Sequence, residues 1–180
     1  MNYVAMLTFD DQTASAILQM RKDISKLCIA ETAGTWAPHI TLGVYDPSCL
    51  PQLISHARSV ALSFHRIPFQ FQVCGNFLHS DLYPDTDVFC LLPSLPLPLT
   101  ELYRCFHEKN EEFLTGCGKD YQLLGNGQPT LHSTLAICDT SSYFPVSSYL
   151  YDHFRKIDAL ITEIQILSME QELISKQKLL

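Results

Sequence analysis

Pro38-His39-Ile40-Thr41-Leu42-Gly43-Val44-Tyr45 places a histidine and a threonine two positions apart inside an apolar run. The same local pattern returns at Leu131-His132-Ser133-Thr134-Leu135-Ala136-Ile137-Cys138. In an extended chain, side chains alternate between faces, so residues i and i+2 share one. His39 and Thr41 therefore point one way, and Ile40, Leu42 and Val44 the other. His132 and Thr134 share a face opposite Leu131, Ser133, Leu135 and Ile137. Each segment reads as a strand that buries one apolar face and presents an imidazole beside a hydroxyl. The other histidines, His56, His65, His79, His107 and His153, have no such setting.

Outward from these two segments, hydrophobic periodicity orders the rest of the chain. Tyr3 to Phe9 reads as a strand. Residues 12–29 carry Ile17, Ile24, Leu27 and Cys28 at helical spacing. Gly34 and Pro38 mark a loop before the first motif, and Asp46-Pro47-Ser48 a turn that starts a helix. Leu50, Leu53, Ile54, Ala57, Val60, Ala61 and Phe64 form a long helical stripe. Strands over 69–77 and 88–92 resemble a hairpin with a wide loop. The prolines of 93–98 predict irregular chain. Leu99, Leu102, Tyr103, Phe106, Phe113 and Leu114 predict a helix ended by Gly116 and Gly118. Residues 121–130 read as a loop, 131–138 as a strand and 146–154 as a helix. Strands are expected over 159–167 and 173–179, with a terminal helix as the competing reading. The order β-α-β-α-β-β-α-β-α-β-β predicts an α+β protein whose halves share a gross plan.

Composition narrows the classes. The chain has 180 residues, 47% of them hydrophobic, with a net charge of −7 and 12 Lys and Arg. Few cations exclude a large footprint on long nucleic acid, because binding many phosphates needs clustered charge. A nucleotide or an RNA end stays within reach. No apolar run is long enough to span a membrane. The start, MNYVAMLTFDD, has no basic region and turns acidic, so it does not read as a secretory signal and a cytoplasmic protein is expected. Seven cysteines occur without a CxxC pair, which suits small buried hydrophobes in a reducing compartment.

Two H-x-T motifs flanked by apolar residues, in opposite halves of a chain this size, resemble the 2H phosphoesterase superfamily. Pro38-His39-Ile40-Thr41-Leu42 is similar to the first motif of its 2′-5′ RNA ligase-like branch. The resemblance implies one bilobal domain over residues 1–180. In it, two pseudo-symmetric, mainly antiparallel sheets surround a central cleft, with helices outside. It also implies hydrolysis of 2′,3′-cyclic phosphates or 2′-5′ phosphodiester links in nucleotides or RNA ends, with His39 and His132 catalytic.

The chemistry is coherent on its own terms. Opening a phosphodiester with water needs one group to take a proton from the nucleophile and another to give one to the leaving alkoxide. Imidazole, with a pKa near about 6.5, does either at neutral pH. The hydroxyls of Thr41 and Thr134 suit the non-bridging phosphate oxygens. Such a site requires no metal and no cofactor. Which histidine is acid and which base depends on substrate orientation. One departure from the family stands out: no Lys or Arg follows Thr134 in Leu135-Ala136-Ile137-Cys138-Asp139, so a supporting cation, if the site uses one, comes from elsewhere, which counts against RNA ligation and long RNA substrates.

Other features carry blander readings. Trp36, Tyr45 and Phe77 are candidates to stack a base, with core or rim packing as the competing role. Cys105, His107 and Cys117 match no zinc spacing. Glu108, Glu111 and Glu112 read as a solvated helix face. A monomer is expected. Two other functions compete with the enzyme: a module that binds a nucleotide or RNA end in the same cleft without turnover, and a partner-binding protein whose two motifs are accidental.

Overall fold

A computed structural model describes residues 1–28, 35–77, 85–115 and 130–180. Its strands are β1 (Tyr3–Phe9), β2 (His39–Tyr45), β3 (Ile67–Phe77), β4 (Thr86–Pro93), β5 (Ser133–Asp139), β6 (Ile157–Ser168) and β7 (Leu173–Lys178). The helices are α1 (Asp11–Ile24), α2 (Leu50–Ala61), α3 (Leu97–His107) and α4 (Tyr143–His153). They follow the expected α+β order. The C-terminal segment is strand rather than helix, because it pairs with the edge of β6.

All pairings are antiparallel, in the order β2-β1-β6-β3-β4-β5, with β7 added to β6. That order is palindromic: β2 matches β5, β1 matches β4 and β6 matches β3. The two expected sheets are therefore continuous, joined where Ile67 to Phe71 of β3 pairs with Ile157 to Ile161 of β6. Phe9, Phe69 and Phe71 pack at this seam, with ring centroids 4.9–6.0 Å apart. The core includes Leu7, Ile40, Leu42 and Ile164 of one half and Leu91, Leu135 and Ala136 of the other.

The two motif strands repeat in detail. From His39 and from His132 the next seven positions show one burial pattern. Leu42 has no cross-strand partner between the pairs Met6–Thr41 and Ala5–Gly43. Leu135 likewise stands unpaired between Cys90–Thr134 and Phe89–Ala136. Each strand thus carries a β-bulge three residues after its histidine. The extra residue inverts the alternation beyond it. Tyr45 is consequently buried and Val44 half-buried, the reverse of strict alternation from Ile40. At the end of each strand an aspartate starts the next helix. Asp46 accepts from Ser48 N and Oγ at 2.8 and 2.6 Å, and Asp139 accepts from Ser141 Oγ and, at 2.6 Å, Ser142 Oγ. The same sequence distance separates His39 from His132, Asp46 from Asp139 and the first residue of α2 from that of α4.

Helix α3 departs from expectation at both ends. Leu97 and Pro98 form its first turn, where proline's missing N–H is harmless. It stops at His107, and Phe113 and Leu114 belong to a following turn that bridges Tyr45 of β2. The expected stop at Gly116 and Gly118 and the loop over 121–129 lie outside the described residues.

Candidate active site

His39 opens β2, and His132 directly precedes β5. Each ring is held by the carbonyl two residues upstream: His39 Nδ1 to Ala37 O at 2.7 Å and His132 Nδ1 to Thr130 O at 2.8 Å. A carbonyl can only accept, so each Nδ1 carries the proton and each Nε2 presents its lone pair. The two imidazoles are thus fixed in the same tautomer by the same local device.

β2 and β5 end opposite sides of the strand order, yet the sheet curls until they approach within 8 Å between Cα atoms. His39 consequently feels the charge of His132. Burial lowers the His39 pKa to about 4; its bond to Ala37 opposes the shift, while Arg21 and His132 add to it. Burial also lowers the pKa of His132, against its bond to Thr130.

Thr41 and Thr134 are half-buried, one strand step beyond each histidine. Among the described residues neither hydroxyl has a side-chain or backbone partner. The structure brings all four expected residues, His39, Thr41, His132 and Thr134, to matching positions at the meeting edges of the sheet.

Three further residues belong here: two were not singled out in the sequence, and the third was weighed there only as a zinc ligand. Thr8 lies directly across the ladder from His39. Cross-strand partners share a face, so its buried and unpartnered hydroxyl sits on the face of His39. The second is Arg21 of α1, which donates from Nε and Nη2 to Thr134 O at 3.1 and 2.7 Å and from Nη1 to Trp36 O at 2.6 Å. Its guanidinium is buried, and that burial brings its pKa down to about 10. It is a cation close to both motifs, contributed by α1 and not by the chain after Thr134. A charge in line with Ile17 and Ile24 on an apolar stripe was the available signal. The third is His107, buried at the end of α3, whose Nε2 bonds Leu42 O at 2.7 Å.

Two aromatic rings flank the histidines. Trp36 lies 5.9 Å from the His39 ring, and Phe77 lies 5.1 Å from that of His132. Both are half-buried. Tyr45, the third stacking candidate, is fully buried and has no face to offer a base. Among the described residues no group of three or more His, Cys, Asp or Glu is placed to hold a metal ion; Cys117 lies outside them. Among the same residues no helix is long and apolar enough to cross a membrane.

The palindromic sheet is a fold found in other solved proteins. Three solved structures share it over nearly their whole length, each at 12% sequence identity. TT0787 of Thermus thermophilus superposes with a TM-score of 0.62, covering 99% of this chain and 98% of that one. Usb1 of Kluyveromyces marxianus gives 0.59, with 99% and 97% covered. LigT of E. coli, complexed with NADP+, gives 0.58, again with 99% and 97% covered. No protein-family model matches the chain, and no curated protein matches it by sequence.

Proposed function

We propose that this chain is a phosphodiesterase, with residues 1–180 acting as one bilobal unit, that opens 2′,3′-cyclic phosphate or 2′-5′ phosphodiester bonds of nucleotides or RNA ends. The matched pinning of His39 and His132 through Nδ1 carries this reading. It leaves two Nε2 atoms to work on one phosphorus, each beside an unpartnered threonine hydroxyl. His39, held furthest from protonation, takes a proton from water through Nε2. The water oxygen bonds to phosphorus, the bond to the 2′ or 3′ oxygen breaks, and His132 gives its Nε2 proton to the leaving alkoxide. Thr41 and Thr134 donate to the non-bridging oxygens, where charge builds. The step needs one imidazole neutral and one protonated, and a bound phosphate anion favours the protonated form of the second.

Fold likeness adds to the case: LigT has been solved with NADP+, a dinucleotide bearing a ribose phosphate. The net charge of −7 fits a small substrate better than a long strand. Incubation with a panel of 2′,3′-cyclic nucleotides and 2′-5′ dinucleotides, followed by product separation, tests the reading. A phosphomonoester product is expected. Tight binding with no product from any member would make the chain a nucleotide-binding module; neither binding nor product would leave the two motifs accidental.

A further inference from the structure

The two bulges are held by donors of different charge. In one half His107, the last residue of α3, reaches across from the helix that follows β4 and donates to Leu42 O, on the extra residue of the β2 bulge. In the other half Arg21 reaches from the helix that follows β1 and donates twice to Thr134 O, beside the extra residue of the β5 bulge. Each helix thus braces the motif strand of the opposite half. A neutral imidazole suffices for the first brace. The second uses a full charge, nearly inaccessible to solvent with 4% of Arg21 exposed, and among the described residues no carboxylate pairs with it. Burying an uncompensated charge opposes folding, so bracing alone does not account for a guanidinium here. Its third bond, to Trp36 O, holds the segment that enters the first motif.

We propose that Arg21 is the positioning residue of the two-histidine site: its fork holds both motifs at one spacing, and its charge is the cation toward which the substrate phosphate is drawn. The inference rests on the reading of the site as a phosphodiesterase. It has consequences that do not depend on turnover. The arginine's field helps keep His39 neutral, so removing the charge eases protonation of that ring.

The test compares Arg21→Met, which removes charge and fork, with Arg21→Lys, which keeps the charge alone. Three measurements are made on the full chain: the His39 titration by NMR, kcat and KM on the best cyclic nucleotide, and the Kd of adenosine 2′-monophosphate. In Arg21→Met the His39 titration should move upward, kcat should fall about 100-fold as expected for misplaced catalytic groups, and the monophosphate should bind at least about tenfold more weakly. In Arg21→Lys the titration and Kd should stay near wild type while kcat still falls about tenfold or more. An Arg21→Met protein that melts lower but keeps its kcat, titration and Kd would reduce Arg21 to a structural brace and overturn the proposal. If Arg21→Met does not fold, wild-type kcat in Arg21→Lys overturns it. If the wild type turns over none of the panel, the functional reading fails first, and the His39 titration and monophosphate Kd still decide the role of Arg21.

Discussion

The Nε2–H of His107 meets the carbonyl of Leu42 across 2.7 Å, and Leu42 is the residue that has no partner in the β1–β2 ladder. The bulge therefore rests on a donor from a distant helix. His107→Phe keeps an aromatic ring stacked near Tyr103, now 4.2 Å between centroids, but leaves that carbonyl buried without its donor. Such a loss costs about 1–3 kcal/mol, and each kcal/mol lowers the midpoint of a domain this size by roughly 2–4 °C. Thermal unfolding should show a fall of roughly 2–12 °C. No change would mean that the bulge does not need the bond.

Gly43, the residue after that bulge, has no room for a side chain. An added Cβ would lie 2.5 Å from Leu114 Cδ2 and 2.8 Å from the Tyr45 ring. Leu114 there closes the outer edge of β2 through its bridge to Tyr45. Gly43→Ala should cost about 1–3 kcal/mol through overpacking, measured as a lower denaturant midpoint at unchanged slope. Because β2 also carries His39 and Thr41, kcat should fall with it. A variant of wild-type stability would show that Leu114 moves aside freely.

For the proposed reaction, His39→Gln and His132→Gln should each lower kcat by about 10²–10⁴-fold with little change in unfolding midpoint. Thr41→Val and Thr134→Val each remove one donor and should cost about 10²–10³-fold or less. Near-wild-type turnover in either histidine variant contradicts the mechanism. Thr8→Val makes the opposite stability prediction. It replaces a buried hydroxyl that lacks a partner with an isosteric methyl, so it should be neutral or stabilising. A drop in kcat with intact stability would place that hydroxyl among the groups that touch substrate.

Much of this architecture is legible from periodicity. The eleven described strands and helices lie in the expected order, because each carries a buried stripe of its own period. Both histidines and both threonines stand out from spacing two within strand-like apolar runs in opposite halves of the chain. The bulges do not, since one inserted residue leaves a faint trace: the adjacent apolar pairs Leu42-Gly43 and Leu135-Ala136. Tyr45, a stacking candidate, is buried because of the bulge before it. Arg21 was hidden for a different reason. A charge on the apolar face of α1 reads as an interruption until the strand it braces, more than a hundred residues later, is in view. The start of α3 was missed because three prolines suggest irregular chain, although the first turn of a helix tolerates them.

Protonation ties the site to stability and rate, and the signs differ. His39, His107 and His132 all have folded pKa values below the ordinary histidine value, chiefly through burial. Between the unfolded value of about 6.5 and the lower folded values, the unfolded chain binds more protons. Stability should therefore be complete above about pH 6.5 and fall as the medium is acidified toward pH 4. The half-buried aspartates Asp23, Asp46 and Asp139 have lowered values too, and their loss belongs below that window. Turnover has the opposite slope over part of the same range. With His39 neutral above about pH 4 and His132 required as the acid, kcat/KM should be bell-shaped, with its maximum on the acid side of 6.5 and a decline through neutrality as His132 deprotonates. Activity measured from pH 4 to 9, alongside unfolding midpoints, separates the two effects. A rate that climbs steadily past pH 8 would remove His132 from the role of acid.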